Sequence, residues 1–198
     1  MRRIFIGTLV VLTIALINGC ANRKITRVDP NETIDLSGRW NDSDSRLVSE
    51  EMIGDLLTSA WIPRYLKAND KRPVVVVGLV ENKSHEHINS ETFIKDVEKA
   101  IIRDGNIRLV VAGEKRNELR KERAEQQDYA SPETTKKWGK ELGADFILQG
   151  TINSIVDSYK KQKVVTYQID LQLTNIETNE VVWKGDKKIK KQISDRVL

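Results

Sequence analysis

Apolar residues recur at every second position through the last third of this 198-residue chain, and no other feature narrows the fold as much. Phe146, Leu148, Gly150 and Ile152 follow that rhythm. Further on, Val165, Tyr167, Ile169, Leu171 and Leu173 alternate with Gln168, Asp170, Gln172 and Thr174. Successive side chains of a strand point to opposite faces, so a period of two means strands with one dry and one wet face. Ile176-Glu177-Thr178-Asn179 reads as a turn, and Val181, Val182 and Trp183 open a third strand. Three strands on short loops make an antiparallel meander.

The preceding residues supply the rest of the sheet and its helices. Residues 74–80 are a nearly unbroken β-branched run after Pro73, the pattern of a central strand buried on both faces. Asn89 or Ser90 caps a helix with an apolar stripe of Phe93, Ile94, Val97, Ala100 and Ile101, and Gly105 suits its left-handed C-cap. A short strand follows at 107–111; strand, helix and strand in succession imply a crossover with parallel pairing. Upstream, Leu47, Val48, Met52, Ile53, Leu56, Leu57 and Ala60 lie at helical spacing. Asp42 or Asp44 serves as N-cap, and Pro63 is expected to end that helix near Trp61. Residues 114–127 read as a charged, solvated helix of mixed sign. Ser131-Pro132-Glu133 starts another, closed by Gly143, with Trp138 and Leu142 packed inward. The expected fold class is α/β (α+β): one domain, a mixed β-sheet flanked by helices, ending in the three-strand meander.

The N-terminus has a different character. Arg2 and Arg3 precede about fourteen apolar residues, the layout of an export signal and too short for a comfortable membrane span. Ile17-Asn18-Gly19-Cys20 resembles the bacterial lipobox, which implies cleavage after residue 19 and lipidation of Cys20. Ala21 follows where enteric inner-membrane lipoproteins carry aspartate, so the resemblance implies the outer membrane. Residues 20–34 are polar and read as a tether spanning at most about 50 Å when stretched. The expected division is thus a signal at 1–19, a tether at 20–34 and a globular domain at 35–198.

Several function classes are disfavoured. Formal charge is +4, from 33 basic and 29 acidic side chains, and the leader carries off Arg2 and Arg3. That balance is not a nucleic-acid binder's. With Cys20 lipidated, no thiol is left for a disulfide, zinc or nucleophilic catalysis. His85 and His87 share one polar loop, a solvated loop or, with further ligands, half a metal site. No phosphate loop, serine nucleophile motif or apolar carboxylate pair is present, so neither catalytic residues nor cofactors are expected. Trp40 and Trp61 either seal the two ends of the 47–60 helix or, for Arg39 and Trp40, present a contact to a partner protein. Lys184, Lys187, Lys188, Lys190 and Lys191 either guard an edge strand or attract anionic lipid or an acidic partner.

Three segments bear a family resemblance together: residues 35–48, beginning Asp35-Leu36-Ser37-Gly38-Arg39-Trp40; Gly143-Ala144-Asp145-Phe146-Ile147-Leu148-Gln149-Gly150; and Asn179-Glu180-Val181-Val182-Trp183-Lys184-Gly185. They resemble the LpoB family of penicillin-binding protein activators, over about 35–192. The last two occur more loosely in the TolB N-terminal domain and in CsgG. The resemblance implies a monomeric lipoprotein, membrane-bound through its anchor, whose domain docks on a class A penicillin-binding protein and activates it. Arg39, Trp40 and Arg46 are the residues expected to touch that partner. The well-known members carry a long proline-rich tether, and this chain's is short. The alternative is a CsgG-like structural or secretion-assembly lipoprotein, which would need additional membrane strands.

Overall fold

The computed structural model of the protein describes residues 25–30, 32–131 and 141–194. The leader, Cys20 and the helix expected from Ser131, including Trp138, lie outside the described residues. Tertiary contacts group Thr33–Leu198 into one unit. In order it contains α1 (Asp42–Thr58), α2 (Trp61–Asn69), β1 (Val74–Asn82), α3 (Ser90–Asp104), β2 (Arg108–Val110), α4 (Gly113–Tyr129), β3 (Phe146–Tyr159), β4 (Gln162–Asn175) and β5 (Val181–Ser194).

The strands form one mixed sheet in the order β2-β1-β3-β4-β5. β1 pairs parallel with β2 and with β3, as the crossover through α3 requires. β3, β4 and β5 are the antiparallel meander, and its long hairpins hold register with Leu148 opposite Leu173 and Leu173 opposite Trp183. Residues 74–77 are buried throughout, which explains their β-branched run. Gly150 sits where β3 and β4 approach closely. A Cβ there would collide with the Asp170 carbonyl oxygen, so the glycine of that motif is a steric necessity.

α1 and α3 cover one face, over Val48, Leu56, Phe93, Ile101, Ile152, Ile169 and Leu173. The Asn89 side chain accepts from the Glu91 amide to cap α3, and Gly105 closes it at φ 80°. α4 buries no residue, matching its alternating charges.

Three local expectations are corrected. α1 ends at Thr58, not near Trp61, because Ser59 turns extended and its Oγ donates to the Leu56 carbonyl. Pro63 then falls in the first turn of α2, where a missing N–H costs nothing. The N-cap of α1 is Asn41, and Asp44 is its reciprocal partner three positions on. Leu47 is 48% exposed and Leu142 is 44% exposed; neither packs inward.

Candidate partner-binding surface

The segment 35–41 has no regular structure, yet a cluster of side chains fixes its course. Its centre is Lys191 on β5. The Lys191 ammonium meets Asp44 Oδ2 at 2.6 Å and Asp35 Oδ1 at 2.7 Å, and donates to the Arg39 carbonyl at 3.0 Å. Burial works to lower this ammonium's pKa, but its bonds to Asp35 and Asp44 prevail and hold it above the ordinary lysine value. The Asp35 carboxyl is held below its usual range, chiefly by the bond from Lys191 against a smaller opposing effect of burial. Asp35 also accepts from Asn41 Nδ2 at 2.7 Å. Asn41 Oδ1 in turn accepts from the Asp44 amide at 3.1 Å, while the Asn41 amide donates to Asp44 Oδ2 at 3.0 Å. Gly38, at φ 66°, lies so close to Ile193 that a side chain has no room.

The polar opening of α1 is buried as well. Ser43, Asp44, Ser45 and Ser49 are all nearly inaccessible. Ser45 Oγ donates to Asp96 Oδ2 of α3 at 3.3 Å, and Ser49 Oγ to the Arg46 carbonyl at 2.9 Å. Small hydroxylated residues therefore continue the packed stripe of Val48, Met52, Ile53 and Leu56 toward the helix N-terminus. At the other end, Trp61 Nε1–H satisfies the Leu56 carbonyl at 2.9 Å and Trp183 Nε1–H reaches Asp55 Oδ2 at 2.8 Å. Trp61 thus seals the C-terminal end of α1, as one of the two sequence readings holds.

Trp40 is half-buried at the opposite end. Its amide donates to Glu86 Oε2 at 3.1 Å, and its ring stands edge-on to Tyr167 with centroids 5.5 Å apart. The His85 ring stacks on Tyr167 at 6.3 Å, and its Nδ1 lies 2.6 Å from Ser154 Oγ. Burial, reinforced by the Glu86 carboxylate, pushes the Tyr167 phenol far above its ordinary pKa, so it stays neutral. Arg39 is exposed beside Trp40. Arg46, in the second turn of α1, is partly exposed and pairs with Glu50 at 3.5 Å. All three expected contact residues therefore lie at the N-terminal end of α1.

Residues 83–89 form a loop with Lys83, His85, His87 and Asn89 exposed, as the solvated-loop reading expects. Asn82 ties them down, donating to the Glu86 carbonyl at 2.8 Å while its oxygen accepts from the Ser84 amide at 3.0 Å, and Ile88 is buried beneath. Among the described residues, no group of three or more His, Cys, Asp or Glu is placed to hold a metal. Glu86 and Tyr167 are site members that sequence reading missed. The lysines of β5 also divide. Lys187 and Lys191 face α1, pairing with Glu51 and with Asp35 and Asp44, so these two are pins rather than edge guards. Lys184, Lys188 and Lys190 face the other way.

Among the described residues, no helix is long and apolar enough to cross a membrane. No match is found among curated proteins. Among solved structures, the chain is similar to the LpoB C-terminal domain from Escherichia coli, at 18% identity and TM-score 0.46, covering 77% of this chain and 99% of that one. It is similar also to the LpoB C-terminal domain from Salmonella enterica, at 16% identity and TM-score 0.42, covering 74% and 98%. Lipoprotein GNA1162 from Neisseria meningitidis matches at 15% identity and TM-score 0.37, covering 61% and 83%. The family model described as peptidoglycan-synthase activator LpoB matches residues 44–189, from the first turn of α1 into β5, and the chain belongs to that family.

Proposed function

We propose that this protein is a lipid-anchored activator that binds a class A penicillin-binding protein and raises its glycosyltransferase and transpeptidase output. The observation that carries the reading is the family match from Asp44 through most of β5. Activation by a binding module is a population shift: the activator favours the synthase conformation to which it binds more tightly. In this reading Cys20 carries the acyl chains, the outer membrane holds the anchor and a monomeric domain faces the periplasm.

Arg39, Trp40 and Arg46 are the proposed contacts. Their support is geometric, since Lys191 and Glu86 hold the two ends of the peptide group that joins Arg39 to Trp40 and leave little ordering for a partner to impose. The purified chain is expected to co-purify with a class A synthase and accelerate it. Absence of both binding and rate change rejects the function. Arg39→Ala with Trp40→Ala is expected to weaken binding by about tenfold or more while far-UV circular dichroism stays unchanged. Unchanged affinity rejects these contacts. Palmitate labelling lost in Cys20→Ala tests the anchor.

A further inference from the structure

The ladder between β1 and β3 stops where Asn82 meets Ile152. Beyond it, β3, β4 and β5 project as a three-stranded arm. On the face away from α1, this arm is apolar and basic. Ile155 and Tyr159 are each 72% exposed there. In register, Ile155 lies opposite Thr166 and Thr166 opposite Lys190, while the row of Asn153 and Gln168 ends in Lys188. Lys160 and Lys161 form the two-residue turn at the tip, and the Lys160 ammonium stands 5.2 Å from the Tyr159 ring centroid. Lys160 has φ 53°, a conformation that glycine or asparagine adopts more readily. Among the described residues none of Lys160, Lys161, Lys188 and Lys190 makes an ion pair, in contrast to Lys187 and Lys191. Asp157 is an acid within the patch, and Asp170 pairs with Asp186 in the row at its base.

The chain enters the domain at this same end. Ser194 lies opposite Gln162 beside the tip, and residues 35–38 pack along Lys191 and Ile193. Leu36 is 93% exposed there. The first residues of the domain thus lie at the arm's end of the sheet, on the α1 face of β5.

We propose that the outer face of the β3–β4 arm is a second membrane contact, docking on the anionic phospholipid surface in which the chain is anchored. Lys160, Lys161, Lys188 and Lys190 meet headgroup phosphates, and Tyr159 and Ile155 enter the boundary between headgroups and acyl chains. Basic residues framing exposed aromatic and aliphatic ones are the composition of an interfacial surface, and tethering raises the local concentration that makes a modest affinity sufficient. The choice of a bilayer over an acidic protein rests on the lipid-anchored reading above.

The test is hydrogen exchange on the full lipidated chain reconstituted into vesicles, phosphatidylethanolamine with about one-quarter phosphatidylglycerol against phosphatidylcholine alone. Amides of residues 155–163 are expected to exchange about threefold or more slowly on the anionic vesicles. That protection is expected to vanish in about 0.5 M NaCl and in a Lys160→Glu, Lys161→Glu variant whose core amides remain protected. Equal exchange on both vesicles overturns the proposal. So does protection that arises on neutral vesicles only after soluble polyglutamate is added, which would assign the arm to an acidic protein. Synthase activation in detergent needs no bilayer, so its failure is read separately from failure of this contact.

Discussion

The two ends of α1 are held to the same sheet by opposite means. The C-terminal end is apolar: Met52, Ile53 and Leu56 press into the core, and the indoles of Trp61 and Trp183 spend their N–H groups on Leu56 and Asp55. The N-terminal end is polar: Lys191, Asp35, Asp44 and Asn41 exchange bonds around one ammonium. Apolar burial is strong and non-directional, so it fixes that the helix is attached. Directed polar bonds with their partners in place contribute less net stability, and they determine where the incoming segment runs.

Breaking the apolar end is expected to have the largest effect. Leu56→Ala, at a fully buried site, should cost about 3 kcal/mol in denaturant unfolding, because both transfer energy and a cavity are involved. Lys191→Ala should cost less, about 2 kcal/mol, mostly because Asp44 is left buried without its cation. The informative readout for that variant is local: amides of residues 35–41 lose exchange protection while those of β4 keep theirs. If Lys191→Ala destabilises the molecule as much as Leu56→Ala, the division of labour is wrong. Asn41→Ala removes the cap and should cost about 1 kcal/mol.

Titration sharpens the comparison further, with a smaller effect again. Asp35 has a depressed folded pKa, so its contribution is present above the unfolded value, about 3.9, and is lost as pH falls through the folded one. Lys191 has a raised folded pKa, so its contribution is complete below the unfolded value, about 10.4, and is lost as pH rises through the folded one. Protection of residues 35–41 should therefore hold across neutral pH and decline at both extremes. Glu51→Gln should change stability by about 0.3 kcal/mol or less, since that pair with Lys187 is largely exposed.

The meander and the crossover unit were legible in the sequence because periods of two and of three to four declare which face is dry. Val165, Tyr167, Ile169, Leu171 and Leu173 are all buried on one face, as their alternation requires. The polar latch was not legible. Ser43, Asp44, Ser45 and Ser49 carry no sign of burial in the sequence, since serine and aspartate count as polar in any pattern, and only the proximity of α3 and β5 makes them interior. Lys191 is separated from Asp35 by 156 positions, a distance over which no local rule reaches. Glu86 was hidden in the same way, since its role depends on Trp40 arriving from 46 positions earlier. The one available signal was Asn41 three places before Asp44, a capping box with aspartate in the usual glutamate position.

The Lys191 cluster also has a mechanical meaning. A load pulling on the chain ahead of residue 35 reaches Asp35 and its ammonium partner before it reaches the first turn of α1 or any rung of the sheet. The two charge-assisted bonds from Lys191, to Asp35 and to the Arg39 carbonyl, stand there as a fuse, a reversible clasp placed ahead of the folded body.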